Sequence, residues 1–71
     1  MKLLTEHEEG TTGIITYIAN TLSSVYTMLK KDMTITIISN DANGVIVRAD
    51  GKIFAINKEA ASLLGIKQIS Y

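Results

Sequence analysis

The chain has 71 residues, no formal net charge and no cysteine. A chain of this length forms at most one small domain, and it buries only about 60% of the surface that its unfolded form exposes. Without cysteine there is no disulfide, and a single histidine argues against a structural zinc site. The usual remaining way to stabilise so small a core is oligomerisation, so we expect a homodimer.

Charge and hydropathy exclude two further classes of protein. Seven basic and seven acidic residues form no basic stripe, so the sequence predicts no direct contact with nucleic acid. No apolar run approaches the roughly 18 residues that a membrane span needs. The first ten residues, MKLLTEHEEG, are too short and too acidic for a signal peptide. We therefore expect a cytoplasmic protein with no membrane contact.

Residues 12–30 are predicted to form a long amphipathic helix. Thr11 or Thr12 could cap its start, and Lys30 and Lys31 suit the negative end of a helix dipole. Apolar residues recur at spacings of three and four, which is the pattern of a heptad seam. This stripe could pack on a sheet or join two subunits, and we interpret it as a dimer interface made of Ile15, Ile18, Leu22, Val25 and Leu29.

Strands are predicted next. Residues 32–39 alternate between apolar and polar side chains, and SNDANG, residues 39–44, is typical of a turn. Residues 45–49 and 52–56 flank Asp50-Gly51, which strongly favours a two-residue hairpin turn of type I′. That register places four apolar side chains on one face, where they form either plain core or the wall of a ligand pocket: Val45, Val47, Phe54 and Ile56.

A short helix is predicted to close the chain. Asn57 is a good N-cap for residues 58–64, and Gly65 suits the left-handed position after a helix end. The predicted fold class is α+β, with a long amphipathic helix, a three-stranded antiparallel sheet around the Asp-Gly hairpin, and the short C-terminal helix. We divide the chain into an N-terminal segment with the long helix, residues 1–31, and a hairpin-and-helix segment, residues 32–71.

Candidate chemistry is sparse in this sequence. His7 lies among Glu6, Glu8 and Glu9, but consecutive residues seldom converge on one metal ion, so we expect a solvated acidic tip. No group of nucleophile, base and orienting residue can be named, and no phosphate-binding glycine motif is present. The sequence therefore predicts no catalytic residue, no metal and no cofactor, and the protein is not expected to be an enzyme.

The stretch NGVIVRADGKIFAINKEAASLLGI, residues 43–66, resembles the opening of a PAS domain. The resemblance is carried by Gly44, Asp50-Gly51, Asn57, Ala60-Ala61 and Leu64-Gly65. The preceding HEEGTTGIITYIANTLSSVYTMLKK, residues 7–31, is similar to the last helix of a GAF-type sensor domain. Input regions with a GAF domain followed by a PAS domain occur in sigma-54-dependent transcription regulators of bacteria.

This resemblance implies a non-catalytic sensory and dimerisation segment of a bacterial signalling or transcription regulator. The helix would set the register between two subunits, and changes at the sheet, the expected place for an unidentified small-molecule ligand, would bias that register. The alternative is a small protein–protein interaction module that senses no ligand.

Overall fold

The structure, a computed structural model, describes residues 2–22, 26 and 28–69. The strands of these residues form one antiparallel sheet with the order β1-β6-β2-β3-β4-β5. A 3-10 turn, Leu4–Glu6, follows β1, and a short helix, α1, spans Lys58–Ala61. The strands are β1 (Lys2–Leu3), β2 (Thr12–Ile18), β3 (Thr34–Asp41), β4 (Gly44–Ala49), β5 (Lys52–Ile56) and β6 (Leu64–Gln68).

The sheet joins both parts of the chain that the sequence distinguished. β1 and β2 come from residues 1–31, and the other strands come from residues 32–71. The last strand, β6, lies between β1 and β2 and pairs antiparallel with both. The two segments therefore share one sheet and one apolar core.

The predicted long helix is wrong, because Thr12–Ile18 is strand β2. A β-bulge at Thr16 explains the misleading pattern. Ile15 lies opposite Ile66, and Ile18 lies opposite Leu64 after a register shift. The extra residue places Ile15 and Ile18 on one face at a spacing of three, which imitates a helical period. With no long helix in the described residues, the α+β fold class is also wrong, and the protein is mostly antiparallel β-sheet.

The predicted helical seam is not formed. Ile15 and Leu29 are buried, and Ile18 and Leu22 are half-buried and pack against the same core. Val25 lies outside the described residues. The described members of the set therefore contact the protein's own core instead of a helical dimer interface.

The Asp-Gly hairpin has the predicted register. Val45 lies opposite Ile56, Val47 opposite Phe54, and Ala49 opposite Lys52. Asp50 and Gly51 have φ angles of 52° and 73°, as a type I′ turn requires. The turn predicted over residues 39–44 is shorter in the structure, because β3 continues to Asp41. Asp41 pairs with Gly44, so the turn itself consists of Ala42 and Asn43.

The predicted start of the C-terminal helix is confirmed, whereas its predicted end is wrong. Asn57 is the N-cap, and its Oδ1 accepts a hydrogen bond of 2.7 Å from the N–H of Ala60. The helix ends at Ala61, and Leu64 already begins β6. Gly65 is therefore not a helix C′ residue; it lies in the sheet opposite Leu3 on one side and Tyr17 on the other.

The core collects apolar side chains from several strands, from α1 and from the 3-10 turn. Its buried members are Leu4, Ile15, Leu29, Ile35, Ile37, Val45, Val47, Ala49, Ile56, Ala60, Ala61, Leu64 and Ile66. No helix in the described part of the chain is both long enough and apolar enough to cross a membrane.

Asn40 ties the N-terminal segment to the sheet and to α1. A second bulge, at Ile38, interrupts the alternation of side chains along β3. It places Asn40 on the same face of the sheet as Ile37, although the two residues are three positions apart. Its side-chain amide donates to the carbonyl oxygens of Thr5 and His7 at 3.2 and 2.8 Å. Its Oδ1 accepts a hydrogen bond of 2.7 Å from Lys58 Nζ.

The sequence predicts that His7 is exposed to solvent in an acidic tip, and this prediction is wrong. His7 is only 7% exposed, whereas Glu8 and Glu9 are exposed. The 3-10 turn carries the chain inward after β1, where Leu4 is fully buried. The hydrogen bonds from Asn40 then hold the backbone of residues 5 and 7 against β3.

Candidate functional site

A cleft of about 450 Å³ lies beside the two hairpins, where the β3–β4 turn meets the end of β5. We call it the hairpin cleft. Its apolar wall comes from Val45, Ile46, Ala55 and Ile56, and Tyr26 adds an aromatic side chain. Its polar lining comes from Ser39, Asp41, Asn43 and Asn57, with Gly44 completing the wall.

The close approach of two strands shapes this cleft. Gly44 has a φ of 152°, and a Cβ atom at this position would lie 2.5 Å from the carbonyl oxygen of Ile56 and 3.2 Å from Cα of Asn57. Real Cβ atoms do not approach a backbone so closely, so only glycine fits here without movement of the chain. The residue therefore sets how tightly the start of β4 lies against the end of β5.

The polar lining is held by local hydrogen bonds. Asp41 Oδ1 accepts a hydrogen bond of 2.8 Å from the N–H of Asn43, which fixes the two-residue turn. Asn57 is fixed by its N-cap bond to Ala60. Asp41 is the charged residue of the lining, and it is exposed to solvent. The cleft thus offers an apolar wall next to polar side chains, two of which are held by local hydrogen bonds.

The structure separates the four residues that the sequence assigned to a pocket or to core. Val45 and Ile56 are buried and also line the hairpin cleft. Val47 is fully buried, and Phe54 is half-buried against the core; neither lines the cleft. Of the predicted turn and cap residues, Asn57 lines the cleft, whereas Asp50, Gly51 and Gly65 do not.

Sequence reasoning missed the polar half of the cleft. The sequence predicts Asp41 and Asn43 only as turn residues, Ser39 as the residue shared by the predicted strand and turn, and Tyr26 as part of the long helix. The available signal was Asn43-Gly44, since Asn-Gly between apolar runs favours a second tight hairpin. In the structure the turn lies one residue earlier, at Ala42-Asn43, so Ser39 and Asp41 lie on β3 opposite Ile46 and Gly44.

The lining has the composition of a binding site. Apolar side chains with a few fixed polar groups are typical of sites that recognise a ligand or a protein segment. Among the described residues, no three His, Asp or Glu side chains are placed to hold a metal ion together.

The architecture defines a class: a small, mostly antiparallel β-domain of the SH3-like kind. The crystal structure of the iron uptake regulatory protein FeoA is similar to this chain, with a TM-score of 0.82 and 24% sequence identity. The match covers 96% of this chain and 97% of that chain. The sequence matches no protein-family model, and no curated protein is significantly similar to it in sequence.

This likeness corrects the resemblance to PAS and GAF domains. The fold over nearly the whole chain is that of FeoA, so residues 43–66 are not the opening of a PAS domain and residues 7–31 are not a GAF helix. The predicted function, a sensory segment of a bacterial signalling or transcription regulator, is wrong for the same reason. The motifs that misled are generic: a hairpin, an N-cap and a Leu-Gly pair occur in the same order in both folds.

Proposed function

We propose that this chain is a cytoplasmic, non-enzymatic regulatory protein of iron uptake, and that it acts by binding a protein of the uptake machinery. The observation that carries the proposal is the agreement with FeoA, named as an iron uptake regulatory protein, over nearly the full length of both chains.

The hairpin cleft supplies the contact in this proposal. Its wall of Val45, Ile46 and Ala55 suits an apolar side chain of the partner, and Asp41 suits a hydrogen-bond donor or a cation beside it. Ile46 is 37% exposed, so the partner would remove apolar surface from water at this position. The turn bond of Asp41 and the cap bond of Asn57 hold the site in shape before binding, which lowers the entropic cost of association.

Uptake of radioactive iron by the source organism tests the proposal. We expect deletion of the gene to lower uptake and the wild-type gene to restore it. Ile46→Asp is expected to fail to restore uptake, because it places a charge in the cleft. Ile53→Asp is the matched control: Ile53 belongs to the same hairpin, is 61% exposed and does not line the cleft.

Two outcomes would count against separate parts of the proposal. Unchanged uptake in the deletion strain would reject the link to iron. Equal restoration by the two variants would reject the hairpin cleft as the contact, provided that thermal unfolding shows both variants to be folded.

The homodimer stays a prediction that rests on chain length alone, because the helical seam is not formed. Sedimentation of the purified protein measures its mass directly. A mass of 7.7 kDa, that of one chain, would reject the homodimer.

A further inference from the structure

A second cleft, of about 460 Å³, lies beside β1 and β6, at the opposite end of the strand order from β4 and β5. We call it the His7 cleft. It is lined by Lys2, His7, Thr16, Ile66, Lys67 and Gln68. None of the chain's Asp or Glu side chains lines it, so its charged groups are both positive.

The lining of the His7 cleft follows from the sheet. Lys2 lies directly opposite Ile66 in the β1–β6 pair, so the two side chains share one face. β1 ends the sheet, and β6 continues past it to Lys67 and Gln68. The bulge in β2 lies at Thr16, and Thr16 also lines the His7 cleft. Polar residues from three strands therefore line the cleft beside a buried apolar residue, Ile66.

Buried His7 provides the second, independent observation. Its Nε2 atom is buried and has no hydrogen-bond partner among the described residues. Buried polar atoms without a partner are rare in proteins, since each costs free energy that a partner would recover. The Thr16 hydroxyl is also weakly engaged: its hydrogen bond to the carbonyl oxygen of Gly65 is 3.4 Å long.

We propose that the His7 cleft binds the oxyanion group of a small molecule, a phosphate or a carboxylate. Lys2 and Lys67 supply the charge, and Thr16 and Gln68 supply hydrogen-bond donors. The imidazole of His7, with Nε2 as the donor, completes the set after a small shift of the ring toward the cleft. Ile66 contacts the apolar remainder of the ligand.

Titration with two bare ions, inorganic phosphate and acetate, followed by NMR, tests this site. Sodium chloride keeps the ionic strength constant so that screening of surface charges does not change. We expect saturable shifts of the amide signals of residues 2, 16 and 66–68 with at least one ion. The ratio of the two affinities then shows whether the site prefers phosphate or carboxylate. Saturation by neither ion overturns the proposal.

Charge-removing variants locate the binding. Lys2→Gln and Lys67→Gln are each expected to weaken binding about tenfold, because each removes one charge-assisted hydrogen bond. Lys52→Gln is the matched control, since Lys52 is an exposed lysine at the hairpin turn outside this cleft. Equal weakening by Lys52→Gln would overturn the site in favour of general charge attraction.

The ring nitrogen signals of His7 report on the imidazole itself. We expect the Nε2 signal to move with the same saturation curve as the amide signals, because the atom gains a partner. An unmoved Nε2 signal would remove His7 from the site. None of these results depends on iron uptake, so failure here and failure of the proposed function are distinguishable.

Discussion

Replacement of Gly44 by alanine tests the close approach that shapes the hairpin cleft. The added Cβ would lie 2.5 Å from the carbonyl oxygen of Ile56, and the φ of 152° is one that side chains rarely adopt. The clash is with backbone atoms of β5, which cannot rotate away as the end of a flexible side chain could. We expect the two strands to separate locally at a substantial cost in stability.

Alanine substitutions at two other glycines measure separately the two contributions to this loss of stability, backbone strain and steric overlap. Gly51 has a φ of 73°, with nothing within 4 Å of an added Cβ, so Gly51→Ala adds only backbone strain, about 1 kcal/mol. At Gly13, an added Cβ would lie 2.7 Å from the carbonyl oxygen of Lys67, and overpacking of this kind costs about 2 kcal/mol. Gly44→Ala combines both effects, so we expect a loss of about 3 kcal/mol.

Urea unfolding followed by circular dichroism measures the three losses. A domain of this size has a total stability of only about 4–10 kcal/mol, so a loss of 3 kcal/mol is a large fraction of it. The Tm of Gly44→Ala should fall by at least about 12 °C. If Gly44→Ala lost no more stability than Gly51→Ala, the close approach of β4 and β5 would be absent and the reasoning would be refuted.

Three further changes test the hydrogen bonds and the core. Asn40→Ala should lower stability by about 2 kcal/mol, because it leaves two backbone carbonyls and one ammonium group without their partner; an effect below 0.5 kcal/mol would contradict the network. Asn57→Ala should cost about 1 kcal/mol through loss of the N-cap, and Asn57→Ser should restore most of it in the same urea assay. Ile15→Ala should cost about 2–4 kcal/mol because the side chain is fully buried, whereas exposed Ile53→Ala should change thermal unfolding little; similar losses at both positions would argue against β2 as a core strand.

The hairpin was predictable because its cause is local. Asp50-Gly51 specifies a two-residue turn, and a turn of known length fixes every pair of the ladder up to Val45 and Ile56. The cap at Asn57 was predictable for the same reason, since its hydrogen bond spans only three residues. Neither feature identifies a fold, because both occur in many unrelated proteins.

The β2 strand was not predictable from periodicity because its bulge interrupts the alternation of apolar and polar side chains. An alternating strand with one inserted residue has apolar side chains three apart, as at Ile15 and Ile18, and this is also a helical spacing. The better signal was composition: Ile14, Ile15 and Ile18 are β-branched, with Thr16 and Tyr17 between them, and such residues favour strands. β6 was missed because the pairing that makes it a strand comes from residues about fifty positions away.

Both candidate clefts depend on such distant contacts. The hairpin cleft needs the end of β5 beside the β3–β4 turn, and the His7 cleft needs β1, β2 and β6 together. Sequence alone placed His7 at a solvated tip because its neighbours are acidic. His7 is buried instead, and its backbone carbonyl is held by a hydrogen bond from Asn40, a contact between residues 33 positions apart.

The position of β6 has a consequence for synthesis of the protein on the ribosome. Residues 64–68 bridge β1 and β2, so until they have emerged β1 has no strand neighbour and β2 has only β3. The hairpins of β3, β4 and β5 can form earlier, because their partners are consecutive. Assembly of the complete sheet therefore waits for translation through residue 68, and a nascent chain stalled before residue 64 would leave β1 unpaired and one edge of β2 open.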